Sequence, residues 1–520
     1  MDTIQDMNRI KELQQTWNQF EEACMNKKVI LFGLGQVSIR FISKYHNKVH
    51  IDAAIDNDIK KQGWHIGDFI AEACDTQYED IVISDISILE KYDSTEVVVL
   101  ITNKNNCTEI IEQLDKMGIY QYFLYSLIEA KESNQQKVSS SQNEKKLEYI
   151  SECCNLDISK KKIVVYIGNY GGHGRYITEQ LLKMNKGLDI VWIVKHWSIE
   201  HPDEVRLIYE GNWKKYILEM ETAHIWIYDI IVPDYIRKRV GQIYIQTKHW
   251  SSITLKKFFL DDLSTTVTEE DKERVRFNGK IMDYILTGSE FDNKTCKSGF
   301  AFQGKFIQIG SARTDAVFNI ENRDKVYAKY DIDKEVHSVL YAPTFRYSKE
   351  EKKKKINTEL DFFRLKVALE RRFGGKWVIF LRIHPSIARE SEQIGKESYI
   401  IDVSNYCDSQ ELVAASDITI SDYSSIMFEP AFAHKPVFLF APDRNQYVNR
   451  ERELLIEYES LPFTIAETNE ELEHDIANFA PEGYKKRVEN FLSKYGVHED
   501  GHASERAARF IIDLLEGKEE

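Results

Sequence analysis

ASDITISDYSSIMFEPAFAHKPVFLF, residues 415–440, reads as a strand, a hydroxyl-rich turn, a helix and a second strand. Ile418, Thr419 and Ile420 form a short β-type run that ends in Ser421-Asp422-Tyr423-Ser424-Ser425. Ile426, Met427, Pro430, Ala431 and Ala433 follow at helical spacing, and Pro436-Val437-Phe438-Leu439-Phe440 is the next buried run. This is a βαβ unit. Its turn lies at the carboxyl end of a parallel strand and the amino end of a helix, where free N–H groups and the helix dipole favour an anion. The two serines add neutral donors without bulk. The same letters also suit a plain cap, with Asp422 or Ser424 closing the helix and nothing bound. The pattern alone leaves both readings open.

Working outward, two further strands of the same series end in polar groups. Val336–Tyr341 runs into Ala342-Pro343-Thr344-Phe345-Arg346, and Trp377–Leu381 runs into Arg382-Ile383-His384-Pro385. A helix is expected over Asn357–Phe373 between them, with its apolar positions on one face. In a parallel sheet such strand ends share one edge, so Thr344, Arg346, Arg382, His384, Ser424 and Ser425 are expected to converge on one crevice. Arginines and hydroxyls are what a diphosphate needs: charge-assisted forked donors beside neutral ones.

An earlier αβ series begins with Lys162–Ile167 and meets Gly168-Asn169-Tyr170-Gly171-Gly172-His173-Gly174-Arg175. Gly171, Gly172 and His173 either let a phosphate or lipid head group approach the backbone or form a turn that needs positive φ. Gln242–Gln246 is a buried strand leading to Thr247-Lys248-His249-Trp250-Ser251-Ser252, with Lys256 and Lys257 one or two turns beyond. His249 stands directly after a strand, on the edge where open α/β sheets hold ligands, and that favours catalysis over a structural role. Phe306–Ile309 leads into Gly310-Ser311-Ala312-Arg313-Thr314-Asp315, where Arg313 and Asp315 are either a salt-bridged turn or substrate contacts.

The amino-terminal part is a third αβ series. Residues 1–27 read as an amphipathic helix, followed by the strand Lys28–Phe32 and the turn Gly33-Leu34-Gly35. A second strand, His50–Ile55, ends at Asp56-Asn57-Asp58, about where a dinucleotide fold holds a ribose. Only Gly-x-Gly is present, so the fingerprint is incomplete; a scaffolding or dimerising role suits the module better than nucleotide binding. Residues 131–148 are polar and read as a linker or the solvated start of a helix.

Composition excludes several classes. The formal net charge of −15 over 520 residues argues against a nucleic-acid protein and against broad binding to an anionic membrane. The basic tract Lys352–Lys355 is expected on a solvated helix face. Seven scattered cysteines without a C-x-x-C pair fit free thiols in a reducing cytoplasm. No signal-peptide core and no run of about 18 apolar residues is present. No carboxylate pair or histidine cluster stands at metal-ligand spacing, so no metal and no cofactor is expected.

YAPTFR (341–346), RIHP (382–385), SDITISDYSSIMFEPA (416–431) and KPVFLFAPD (435–443), with the weaker IGSARTD (309–315), resemble the CDP-glycerol glycerophosphotransferase family of teichoic acid primases and polymerases. The likeness covers roughly residues 160–515. It implies a GT-B fold, two Rossmann-like halves facing across a cleft, with the additional amino-terminal module in front. The expected domains are 1–130 for the accessory module, 131–160 for the linker, 161–330 for the acceptor half, 331–490 for the CDP-donor half and 491–520 for a last helix that packs back toward the acceptor half.

The resemblance also implies a reaction and roles. A polyol-phosphate, glycerol-phosphate or ribitol-phosphate, moves from a CDP-alcohol to an acceptor hydroxyl in teichoic acid or capsule synthesis, releasing CMP. His249 is the expected base, while Arg346 and His384 with Ser424 and Ser425 stabilise charge on the phosphates. Thr344 and Arg382 support them, Asp422 orients the turn, and Glu429 accepts from a ribose hydroxyl. The acceptor, lipid-linked or an oligosaccharide, meets Gly171, Gly172, His173, Lys256, Arg313 and Asp315. The enzyme is expected in the cytoplasm, reaching the inner face of the membrane, with a homo-oligomer or a partner enzyme met through the amino-terminal module. One departure stands out. The family's Trp-His-Gly-Thr-Pro-Leu-Lys type sequence is here Lys248-His249-Trp250-Ser251-Ser252-Ile253-Thr254-Leu255-Lys256, without the glycine and proline and with longer spacing. Two alternatives follow: a GT-B glycosyltransferase using a nucleotide sugar, separable by a donor panel, and a non-catalytic assembly subunit that binds donor without releasing CMP.

Overall fold

The computed structural model describes residues 16–74, 76–103, 106–132, 141–168, 170–184, 186–195, 201–262, 268–344, 346–348, 353–355, 359–383, 397–444, 447 and 453–518; for 130–132, 141–144, 168, 346–348 and 353–355 it describes the backbone. The chain divides into two compact units. One is Met1–Asp157 with Ile193–Ile199 and Leu207–Thr222; the other is Ile158–Trp192, Glu200–Arg206 and Ala223–Glu520.

In the first unit, Lys28–Phe32 is the middle strand of a five-stranded parallel sheet. Ala53–Ile55 and Ile83–Ser84 lie on one side; Val97–Ile101 and Tyr122–Leu124 lie on the other. The central strands are apolar because a parallel sheet is covered on both faces, and every residue of Val97–Ile101 is buried. The helix Trp17–Cys24 starts at a capping box formed by Thr16 and Gln19.

The glycine turn has a packing explanation. Gly33 has φ of +98°, and a Cβ there would lie 2.8 Å from Cβ of Asn103. The Leu34 N–H donates to Asp56 Oδ2 at 2.7 Å, and Lys61 Nζ reaches both that carboxylate and the Leu34 carbonyl at 2.8 Å. Turn amide and strand-end acid, the groups that hold a dinucleotide elsewhere, are bonded to each other here.

Two sheets follow. The first runs in the order Lys305–Gln308, Tyr284–Thr287, Ile243–Gln246, Ala223–Tyr228, Ser159–Gly168, Asp189–Val194, Val205–Tyr209. The second is wholly parallel: Ile400–Asp402, Trp377–Leu381, His337–Ala342, Ile418–Ser421, Val437–Phe440, Thr464–Ala466. Its centre puts His337–Ala342 between Trp377–Leu381 and Ile418–Ser421, with Ala342 level with Ser421 and Tyr341 level with Leu381. The turns after residues 342, 381 and 421 therefore lie side by side on one edge. This is the GT-B-like arrangement.

Ser141–Cys153 is a helix, so the polar stretch follows the second of its two readings, the solvated start of a helix. Two local expectations change. The helix expected from residue 357 starts at Phe362, because Asp361 caps it by accepting from the Arg364 N–H at 3.0 Å. Lys353–Lys355 is not helical but pairs antiparallel with Arg346–Ser348.

Asp56→Ala would leave the Leu34 amide and the Lys61 ammonium without their acceptor. The expected cost is about 1.5–3 kcal/mol, the range for a hydrogen bond to a charged group, read as a lower melting midpoint of the first unit in calorimetry.

Candidate functional site

The strand Ile243–Gln246 hands over to a short strap on which His249 sits. Lys248 has φ of +57° and is fully buried, with Nζ 2.9 Å from Oδ2 of the equally buried Asp292. Trp250 is buried too, and its indole N–H donates to Asp292 Oδ1 at 3.2 Å. Asp292 lies in the first turn of the helix Glu290–Gly299, whose cap Ser289 accepts from the Asp292 N–H at 3.0 Å. With both neighbours drawn inward, His249 is left exposed.

Two further groups hold the strap by its carbonyls. Arg313 donates to the His249 carbonyl at 2.6 Å, and His173 Nε2 donates to the Trp250 carbonyl at 2.9 Å. His173 is buried; burial, then the charges of Lys248 and Arg313, hold its pKa well below the ordinary range for histidine. It is a neutral donor.

The strap then crosses to the other half. Ile253 and Leu255 are fully buried in the same apolar core as Val339, Tyr341, Ile379 and Ile420. Burying two such side chains contributes roughly 1.5–3 kcal/mol each. Thr254 Oγ1 lies 3.0 Å from Ser425 Oγ, which also accepts from the Leu255 N–H at 3.3 Å. The Leu255 carbonyl accepts from the Leu455 N–H at 2.8 Å, and the Lys257 N–H donates to the Glu453 carbonyl at 3.1 Å.

A cavity of about 510 Å³ opens between these elements. His249, Thr254, Lys256 and Arg313 line it from one half; Thr344, Arg382, Ser424, Ser425 and Glu429 line it from the other. Arg382 Nη1 donates to the carbonyls of Tyr406 at 2.9 Å and Val403 at 3.2 Å, and no carboxylate of the described residues stands within ion-pair distance of it. Burial lowers its pKa, with the charge of Asp408 opposing that, yet a guanidinium stays protonated. Arg313 Nε is 3.1 Å from Oε1 of the buried Glu429, whose other oxygen accepts from Gln410 at 2.8 Å. Burial pushes the Glu429 pKa up, and Arg313 opposes that. Lys256 Nζ lies 5.3 Å from the ring centre of Tyr447.

Asp422 is buried behind this wall. It accepts from the Thr344 N–H at 2.8 Å and the Tyr423 N–H at 2.6 Å, fixing one strand-end turn to its neighbour. The helix after the serine turn is short, a single 3₁₀ turn at Ser425–Met427 and then Phe428–Phe432. Its dipole therefore adds less than the sequence suggests, and the hydroxyls carry more of the anion affinity.

His249, Lys256, Arg313, Thr344, Arg382, Ser424, Ser425 and Glu429 thus meet in one cavity. Gly171, Gly172 and His173 do not line it: Gly171 precedes the helix Gly172–Lys183, Gly172 has φ of +56°, and His173 supports the strap from behind. Asp315 does not line it either; its carboxylate accepts from the N–H groups of Ala503 at 3.0 Å and Ser504 at 2.7 Å. His384 and the side chain of Arg346 lie outside the described residues.

Sequence reasoning missed Asp292, Thr254 and Glu499. The Ser289-x-x-Asp292 spacing of a helix start could have flagged the first. Glu499 has no local signal. Its carboxylate accepts from Ser252 Oγ, from the Ser311 N–H at 3.1 Å and from Thr314 Oγ1 at 2.9 Å, and burial pushes its pKa up to about 7.

Residues 151–513 match the family described as CDP-Glycerol:Poly(glycerophosphate) glycerophosphotransferase. A teichoic acid poly(glycerol phosphate) polymerase of Staphylococcus epidermidis is 27% identical over 384 residues, 69% of this chain and 51% of that protein. A teichoic acid ribitol-phosphate primase of Bacillus spizizenii is 32% identical over 239 residues, 45% of this chain and 60% of the primase. The solved wall teichoic acid polymerase TagF superposes with a TM-score of 0.64 at 25% identity, covering 72% of this chain and 95% of that one. The chain spans about half the length of the poly(glycerol phosphate) polymerases of S. epidermidis and Bacillus subtilis that it matches.

Two outcomes are expected from these contacts. Lys248→Met leaves the Asp292 charge buried without its partner, which costs about 3–5 kcal/mol and lowers the melting midpoint. Glu499 has a folded pKa of about 7 against an ordinary 4.5, so its stabilising share is complete below pH 4.5 and is lost as pH rises through 7. Between about pH 5 and about pH 8, the melting midpoint of the wild type should fall more than that of Glu499→Gln.

Proposed function

Since the chain belongs to the CDP-Glycerol:Poly(glycerophosphate) glycerophosphotransferase family, we propose that it transfers a polyol-phosphate from a CDP-alcohol to an acceptor hydroxyl in teichoic acid-type polymer synthesis. The observation that carries this reading is the cavity in which His249 faces Arg382, Ser424 and Ser425, strand-end donors around a half-buried cation with no described carboxylate at ion-pair distance. An anionic donor supplies the missing negative charge.

The acceptor oxygen attacks the phosphorus that bears the polyol, and the bond from that phosphorus to the oxygen of CMP breaks. His249 takes the acceptor proton as the new bond forms, a task for which an imidazole is suited near neutral pH. Negative charge grows on the phosphoryl oxygens and on the leaving CMP. Arg382, Ser424 and Ser425 stabilise it from the strand ends, together with Arg346 and His384, which the motifs assign to the same edge. Thr344 stands beside them, and Asp422 keeps the turns in register through the Thr344 and Tyr423 amides. Glu429, already bonded to Arg313 and Gln410, takes a ribose hydroxyl.

The acceptor enters from the side of Lys256 and Arg313. A lipid-linked acceptor brings the enzyme to the inner face of the membrane; among the described residues no helix is long and apolar enough to cross one. No cofactor besides the donor takes part in this scheme. We place the accessory module at 1–130, the acceptor half at 161–330, the donor half at 331–490 and the returning helix at 491–520.

CMP release from CDP-glycerol and CDP-ribitol, with a short polyol-phosphate acceptor, tests the reading. His249→Ala is expected to lower kcat by about 10²–10⁴-fold with little change in donor KM. Wild-type turnover in that variant, or product from a nucleotide sugar and none from either CDP-alcohol, would overturn it.

A further inference from the structure

The two loops that bring His249 and Arg313 to the cavity share one carboxylate. Glu499 lies between the helices Pro481–Lys494 and Ala503–Leu515. Its oxygens accept from Ser252, three residues after His249, and from Ser311 and Thr314, which flank Arg313. Ser252 and Ser311 also touch each other, Oγ to Oγ, at 2.9 Å.

We propose that Glu499 is a positioning residue of the transferase reaction: it locks the His249 strap and the Arg313 turn into one relative placement and so aligns the acceptor hydroxyl with the donor phosphate. This rests on the transferase reading above.

Three features separate this from a simple helix start. The start of the last helix already has its own acceptor, Asp315, on the N–H groups of Ala503 and Ser504. The donors to Glu499 come from the cavity loops, and all three are neutral; no cation of the described residues stands within ion-pair distance. Directional bonds, not charge balance, are what the carboxylate supplies there. The surroundings are also shaped around it. A Cβ on Gly288 would fall 1.5 Å from Ser252 Oγ and 3.1 Å from Glu499 Oε1, and a Cβ on Gly310 would fall 3.1 Å from Oε2.

The segment carrying Glu499 is itself fixed. Arg506 donates to the Ile309 carbonyl at 2.8 Å and pairs with Asp500 at 2.8 Å, so residues 499–506 are held along the 309–315 turn. Glu499 thus transfers the placement of the last helix onto both loops at once. Alignment is costly to lose, because an error near 1 Å at reacting atoms costs about 10²-fold in rate.

Glu499→Gln keeps the size but replaces one acceptor oxygen with a donor that faces other donors. On the full chain, with CDP-glycerol or CDP-ribitol and a short polyol-phosphate acceptor, kcat should fall by about 10- to 100-fold while donor KM stays within about twofold, because no donor-side contact changes. Thr314→Val, which removes one of the three bonds, should give a smaller loss of the same kind. Hydrogen exchange should quicken at residues 249–255 and 309–315 together. Unchanged kcat in folded Glu499→Gln, a change confined to donor KM, or unaltered exchange in either loop would overturn the proposal. Absence of CMP release by the wild type would instead count against the transferase reading, and the exchange measurement would still decide whether Glu499 couples the loops.

Discussion

A buried carboxylate decides where the exposed histidine goes. Asp292 draws in the residues on both sides of His249, the ammonium of Lys248 at 2.9 Å and the indole N–H of Trp250 at 3.2 Å. A chain held inward at two positions flanking a third turns that third residue outward. The Lys248 backbone takes φ of +57° to allow it, a conformation that disfavours side chains and persists where the surroundings fix it. The glycine and proline of the family's usual sequence are not needed when an ion pair, an indole hydrogen bond and two carbonyl clamps hold the loop. Breaking such a buried pair is expensive because the charge left behind has no water.

From that anchor the strap reaches the opposite half, and the longer spacing acquires a physical meaning. Residues 253 and 255 need length to enter the apolar core under the second parallel sheet, and Thr254 between them comes to Ser425. The two halves are joined again by Arg175, paired with Asp408 at 3.1 Å and Glu411 at 2.8 Å, and by Arg313 with Glu429. All of these join side chains or loops distant in sequence. These contacts fix the distance between His249 and the serine turn through the relative placement of the two halves.

The amino-terminal module shows that a sequence fingerprint can be used up internally. Gly33 is needed by close packing against Asn103, and Asp56 meets the very amide and lysine that flank the turn. Both signals were read correctly as a strand, a turn and an acidic strand end. Their mutual bonding is decided by the 2.7 Å approach of two loops.

By itself, the sequence determined the repeating αβ order, the parallel sheets and the three adjacent strand ends at 342, 381 and 421, because apolar runs and their polar turns are local patterns that a parallel sheet lines up along one edge. The placement of His249, Arg382, Ser424 and Ser425 after strands, around one cavity, was legible for that reason. Only the tertiary structure decided that Asp315 holds the last helix and His173 the strap, and that the helix after Ser425 is short. It alone revealed Asp292 and Glu499, whose partners lie 42 to 247 residues away. A carboxylate's role depends on which donors surround it, and no spacing along the chain encodes contacts made across such separations.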